Sequence, residues 1–320
     1  MPDTQDDRGR YAGPVVDAHH HLWQPGDGRY PWLEPGVLVP HRYGDYSAAK
    51  HDYLPEDLLR DAADQQLVAT VTMEAEWDPA DPVAETRWLA GLAEPGGAQG
   101  GVPGAMAVQA RLDADDLDAV LTAQTAFRGV RSVRHKPGGP TSPAAAAAGE
   151  RTLMSDPRWR AGYALLAEHG LHFELQTDWW NLHEASSLAA DHPDTLVVIN
   201  HAGVLRDHRE ATVHGWRAAM TAVSRLPNVV VKASGLCTEA DGWDPVVNHD
   251  VLGTLLDLFG ADRVMFGSNF PVDGIFTTYA GLVDGFREAL ADRTPAEQRA
   301  VFHDTAIRVY NPRTIGGSNR

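Results

Sequence analysis

The chain has 320 residues, 43% of them apolar and 22% charged, with one cysteine, a formal charge of −17 and a pI near 5.2. That length suits one large domain; the acidic balance repels nucleic-acid phosphates and anionic membranes, and the lone Cys237 excludes an internal disulfide framework. No stretch approaches the ~18 uninterrupted apolar residues of a membrane span, and the polar residues 1–13 read as a disordered tail without a secretion signal, so a cytoplasmic protein is expected.

From residue 14 onward, short apolar β-branched runs alternate with helical patterns. The first run, VVDAH (15–19), leads into a long loop, 22–54, in which Trp23, Tyr30, Trp32, Tyr43, Tyr46 and Tyr53 stand among Pro and Gly. This loop is either an ordered pocket wall or a cover for the barrel edge. A Pro-first, acid-rich turn at Pro55-Glu56-Asp57 then opens a helix. The runs VATVTME (68–74), GAMAVQA (104–110) and RGVRSV (128–133) follow, each with a helical segment behind it; behind the last a second long loop, 134–157, comes first, carries the low-complexity KPGGPTSPAAAAAGE and is expected to be mobile. LHFELQ (171–176), LVVINH (196–201), VVVKASG (229–235) and VMFGSN (264–269) complete the series, and TPAEQRAVFHDTAIRVY (294–310) predicts a final helix.

Eight such units predict an α/β fold with a parallel sheet and helical crossovers. Eight is also the number that closes a (β/α)8 TIM barrel, with a doubly wound open sheet as the competing architecture. The expected barrel is a single domain over 14–312, followed by a tail at 313–320. Both long loops would emerge on the C-terminal face, where active sites of such barrels lie.

Several residues at strand ends carry chemistry. Side chains alternate along a strand, so His19 and His21 share a face about 7 Å apart; His20 points elsewhere. Glu74 and Glu76 likewise share a face after the second run. Arg128 and Arg131 bracket the fourth, and an arginine at a strand's end suits a bidentate grip on a carboxylate. Arg131 is the one assigned to substrate, with a salt bridge to Glu74 or Asp178 as the other reading. Gln176 can hydrogen-bond substrate, and of Trp179 and Trp180 one is expected in the pocket and one in packing. His201 ends the sixth run before Ala-Gly. Lys232, near the end of the seventh, faces either a substrate oxygen or a barrel carboxylate. Cys237 has no partner pattern.

VVDAHHHLW resembles the opening of the amidohydrolase superfamily, in its amidohydrolase-related branch of lactonases and decarboxylases. Glu76-Trp77-Asp78-Pro79, Gly129-Val130-Arg131, Asn200-His201-Ala202-Gly203, Lys232-Ala233-Ser234-Gly235, GSNFP at 267–271 and His303-Asp304-Thr305-Ala306 continue the resemblance in order. It implies a distorted (β/α)8 barrel, a pocket where His201 meets His19 and His21, and a role for Glu76 as ligand, base or orienter. It also implies an aspartate where this chain has Asn269. The GSNFP run resembles an Asn-bearing subgroup. Binuclear relatives carry a histidine on strand 5 and a modified lysine on strand 4; this chain has Gln176 and the neighbourhood of Arg131 there, so a dinuclear centre is not expected.

An amide has no useful basicity near neutrality. His19, His21 and His201, with the Asn269 carbonyl, could hold one divalent ion, zinc before others; without a metal the base must be His21, His201, Glu76 or Asp273. The expected function is a hydrolase opening a lactone or other cyclic ester or amide of a small, oxygen-rich or carboxylated substrate, with Asn269 donating its NH2 to substrate. A decarboxylase of the same fold is the alternative. No organic cofactor is expected; the partner is a small molecule, and a homo-oligomer is left open.

Overall fold

The computed structural model describes residues 4–26, 28–40, 42–93, 100–238 and 242–316. Each β-branched run becomes a strand: β1 Val15–His20, β2 Leu67–Met73, β3 Ala105–Gln109, β4 Val130–Arg134, β5 His172–Leu175, β6 Val197–Ile199, β7 Val229–Ala233 and β8 Val264–Phe266. They form one sheet in chain order, every paired neighbour parallel. Both faces of the strands are covered, which is why they read as near-continuous apolar runs. Helices Pro55–Asp61, Pro82–Leu92, Leu117–Thr125, Pro157–Glu168, Leu182–Asp191, Glu210–Val223, Pro245–Phe259 and Tyr279–Ala289 follow the strands in turn. Caps fix where some begin. Asp156 Oδ1 accepts from the amides of Arg158 at 2.8 Å and Trp159 at 3.0 Å, and Asp244 does the same for Val246 and Val247, each cap contributing about 1 kcal/mol.

The ladder does not run between β8 and β1; the seam is drawn together just past the strand ends. The Asn269 amide donates to His19 O at 2.6 Å and the His21 amide to Phe270 O at 2.7 Å. Asp17 accepts from Ser268 N at 2.9 Å and Ser268 Oγ at 2.6 Å, and from the Tyr279 hydroxyl at 3.2 Å. Burial pushes the Asp17 carboxyl up to about 6 against those bonds. The architecture is the expected distorted (β/α)8 barrel.

Inside the barrel the side chains stack in layers. Val16, Ala69, Ala105, Val198 and Val230 form an apolar floor with Ala306, Val309 and Tyr310 of the helix Thr305–Tyr310. A polar layer lies near it: Glu174 accepts from Ser132 Oγ at 3.0 Å, from Asn200 Nδ2 at 2.6 Å and from the Tyr310 hydroxyl, and pairs with Lys232 at 3.0 Å. Lys232 is therefore not a substrate ligand. Its amine is wholly buried, lies 4.9 Å from the Tyr310 ring centre, and takes the barrel-carboxylate alternative. Burial brings it down to about 8, with Glu174 opposing.

The described parts of both expected tails are packed. Gln5 bridges Tyr11, whose buried ring stacks on Phe302 at 5.1 Å. The Arg313 amide bonds Gly104 O at 3.0 Å and the Ile315 amide bonds Val68 O at 2.8 Å. Residues 1–3 and 317–320 lie outside the described residues. The loop after β1 is a wall: Trp23, Tyr30, Tyr43, Tyr46 and Tyr53 are all buried. The alanine run after β4, expected to be mobile, forms a short helix, Pro143–Ala147, capped by Ser142 Oγ, and Glu184 ties down Thr152 beyond it at 3.1 Å. The final helical stretch contains a π-helical turn, Ala300–Asp304, between Pro295–Arg299 and Thr305–Tyr310.

Candidate active site

The pairing of β1 with β2 is irregular between Asp17 and His20, and irregularities of this kind re-aim side chains near sites. Below it Val16 joins the apolar floor. Past it the rings of His19 and His21 stand 5.4 Å apart, while His20 turns away to Thr72 Oγ1 at 2.9 Å. His201 follows β6 in a turn where His201, Ala202 and Gly203 all take left-handed backbone, with φ of 53°, 51° and 73°. Such a conformation costs non-glycine residues about 1–3 kcal/mol each. Here it brings the His201 ring to 4.4 Å from that of His19.

The three imidazoles are neutral. Burial, foremost, holds each well below the ordinary histidine value, and neighbouring cations add to it: Lys232 for His19, Arg134 for His21, Arg42 for His201. His21 Nδ1 meets Met73 O at 3.2 Å and His201 Nδ1 meets Ser234 Oγ at 3.0 Å. Both ring nitrogens of His19 are buried without a protein partner. Neutral, oriented imidazoles are the ligand form of histidine, and orphaned buried nitrogens call for a partner, so this donor set suits a divalent ion. The fit is one of chemistry and not of spacing: among the described residues, no group of three His, Cys, Asp or Glu side chains is placed to hold a metal ion.

The arginine that β4 brings to the cavity is Arg134, not Arg131. Arg131 lies at the start of β4 and donates to the carbonyls of Tyr310, Arg128 and Val130, so it ties the barrel bottom together. Arg134, at the strand's C-terminal end, is almost wholly buried. It pairs with Glu74 and donates to Gln176 Oε1 at 3.1 Å. Glu76 stands exposed at the mouth, 2.7 Å from Lys136 Nζ. Neither tryptophan after β5 borders the cavity around the histidines. Trp179 packs on Gly215, where a Cβ would strike its ring, and Trp180 donates to Pro140 O at 2.9 Å.

Asn269 borders the cavity with φ of 56°, a left-handed conformation that Asn tolerates better than most residues. Its amide nitrogen donates to Asp273 Oδ1 at 2.8 Å and to the Tyr43 hydroxyl at 3.2 Å. The NH2 expected to serve substrate is thus engaged within the protein. Asp273 lies wholly buried behind Asn269, its carboxyl pushed up by burial to about 6.

Two cavities meet at shared walls. An inner chamber of about 70 Å³ is bordered by His21, His201, Arg134 and Asn269; an outer one of about 310 Å³ reaches Asp178 and Arg206. Arg42, Lys136 and Gln176 border both. Arg42 and the hydroxyl of Tyr43 come from the β1 loop, and neither belongs to a strand-end motif, so only the folded loop reveals them.

Residues 16–311 match the amidohydrolase family. The chain belongs to that family. This amidohydrolase is 35% identical over 296 residues to an uncharacterised protein, y4mH, of Sinorhizobium fredii, across 92% of this chain and 98% of that one. It is 29% identical over 316 residues to the L-fucono-1,5-lactonase of Burkholderia multivorans, across 92% and 95%. A solved amidohydrolase from Burkholderia multivorans, crystallised with bound zinc, superposes with a TM-score of 0.76 at 26% identity, across 94% and 100%. A decarboxylase of dihydroxybenzoate from Rhizobium, at 15% identity and a TM-score of 0.60, shares the fold.

Gly235 keeps the amidohydrolase pocket open. Its φ is +56°, and a Cβ there would collide with Arg42 Nη2 and come within 2.7 Å of His201 Nδ1. Gly235→Ala is expected to cost about 1–3 kcal/mol of stability and at least about 10-fold in kcat/KM by displacing both groups. Thermal unfolding and steady-state kinetics measure the two effects; wild-type kinetics would show that neither neighbour matters.

Proposed function

We propose that this enzyme opens the ring of a small, oxygen-rich lactone by attack of water. The observation that carries the reading is the cluster of three neutral, buried imidazoles beside Arg134 and Asn269. The naming of two relatives as L-fucono-1,5-lactonases supports it. His19, His21 and His201 would hold a divalent ion, zinc foremost, which when bound supplies Lewis acidity and makes water more acidic. Arg134, oriented by Glu74 and Gln176, holds the substrate carbonyl and the negative charge that builds on its oxygen. Asn269, its NH2 fixed by Asp273 and Tyr43, offers its carbonyl oxygen to a water proton and so orients the nucleophile. Glu76 and Lys136 stand at the rim, where substrate enters.

Hydrolysis in oxygen-labelled water is expected to place one solvent oxygen in the new carboxylate of the product. Release of carbon dioxide with no label incorporated would instead support the decarboxylase reading, which needs a carboxylate grip but no attacking water.

The Asn269→Asp variant tests the role of the amide. A carboxylate at 269 would stand where the amide nitrogen now lies, 2.8 Å from Asp273 Oδ1. Two carboxyls at that distance share one proton, and the pair titrates together with one step well above the ordinary carboxylate range. The variant is therefore expected to be less active than wild type at pH 6, with kcat/KM climbing as pH rises through that upper step. A pH–rate profile parallel to wild type would remove Asn269 from the reaction.

A further inference from the structure

Resting on the lactone reading above, we propose that the substrate is anionic and that Arg42 binds its carboxylate at the waist between the two chambers. The inner chamber, about 70 Å³, is the smaller and borders the histidines; the outer, about 310 Å³, is the larger and leaves room for the remainder of a substrate. Arg42 borders both. Four cations line this space, and three are already neutralised. Arg134 pairs with Glu74, Lys136 with Glu76 at 2.7 Å, and Arg206 with Asp178 through Nε and through Nη2 at 2.9 Å. Arg42 differs. Its guanidinium donates to Gly235 O at 3.0 Å and to the Tyr43 hydroxyl, both neutral oxygens, and it forms no ion pair among the described residues.

A half-buried guanidinium with no direct ion pair, its nearest opposing charge the buried Asp273 beyond Asn269 and Tyr43, has lost hydration that an anion would replace. It is also held in place. The cation lies 4.3 Å from the centre of the Tyr43 ring, and the absence of a side chain at Gly235 leaves it room beside His201. A carboxylate seated on Arg42 is one hydroxyl away from Asn269, through Tyr43. The amide at 269 adds no negative charge opposite that carboxylate; an aspartate there would.

The test compares the γ-lactone of hydroxyglutarate with its primary carboxamide, molecules alike in shape that differ by one charge. Wild type is expected to favour the carboxylate by about 100-fold in kcat/KM, and Arg42→Gln to reduce that preference to a few-fold. Arg42→Lys keeps the charge but loses the planar fork, and is expected to retain about a tenth of the preference; it serves also if Arg42→Gln fails to fold, as thermal unfolding will show. Tetrahydrofuroate, a carboxylate with no ester to cleave, reports binding alone by calorimetry. A preference that survives Arg42→Gln, or a wild-type preference for the carboxamide, would overturn the proposal. If neither lactone is opened, tetrahydrofuroate binding that is lost in the variants upholds Arg42 while the lactone reading fails. Binding that is absent from wild type, or equal in all three proteins, sinks the proposal.

Discussion

His19→Ala is expected to lower kcat/KM for lactone hydrolysis by about 1,000-fold, within the range for removing a group that handles protons or polarises water, while changing the melting temperature little. Both ring nitrogens of His19 lack a protein partner among the described residues, so its removal breaks no side-chain hydrogen bond described there, and its ring lies 4.4 and 5.4 Å from the two other imidazoles. Metal analysis of the purified variant, beside wild type, gives a second readout: a bound divalent ion should fall together with the rate. A variant that keeps full activity would remove β1 from the chemistry. One that loses activity and also unfolds would make His19 a core residue.

The barrel is legible in the sequence because its strands are buried on both faces and stand out as eight apolar runs, with segments of helical spacing between them. His19, His21 and His201 are legible for the same reason: they sit at strand ends, where position along the chain implies position at the mouth. Arg131 does not reach the pocket because it lies near the start of its strand, not at its end. The strand ends at Arg134, and the three residues between the two arginines separate the barrel floor from the pocket. For Lys232, pattern does not say how deep a side chain sits, and one layer decides between Glu174 and substrate. Arg42 and Tyr43 belong to a loop whose path is set by tertiary packing of its aromatic residues, which no local period encodes. The tie between Asn269 and Asp273 is a four-residue contact in a turn, and the direction of the amide follows only from the partners it meets.

Arg134→Met is expected to be the most destabilising of these substitutions and to abolish most activity. Arg134 and Glu74 are each only 3% exposed, and removing one partner of such a pair leaves the other charge buried, at a cost of about 3–5 kcal/mol. Glu74 would keep the Glu76 amide at 2.7 Å but lose its cation, close to the buried Glu85, whose carboxyl burial and then Glu74 hold well above the ordinary range. Acid neutralises unpaired carboxylates, so the deficit in unfolding free energy should be smaller at pH 5 than at pH 8. The double variant Arg134→Met with Glu74→Leu separates fold from function. Replacing both members of a buried pair by apolar side chains is often close to neutral, so most of the lost stability should return. Activity should not, because the cation that faces the developing charge on the substrate is still missing, and such donors are worth about 100- to 1,000-fold in rate. Chemical denaturation of the three proteins at both pH values gives the stability term, and kcat/KM of the double variant gives the catalytic one. A stable double variant with wild-type kinetics would reduce Arg134 to a strut between β2 and β4.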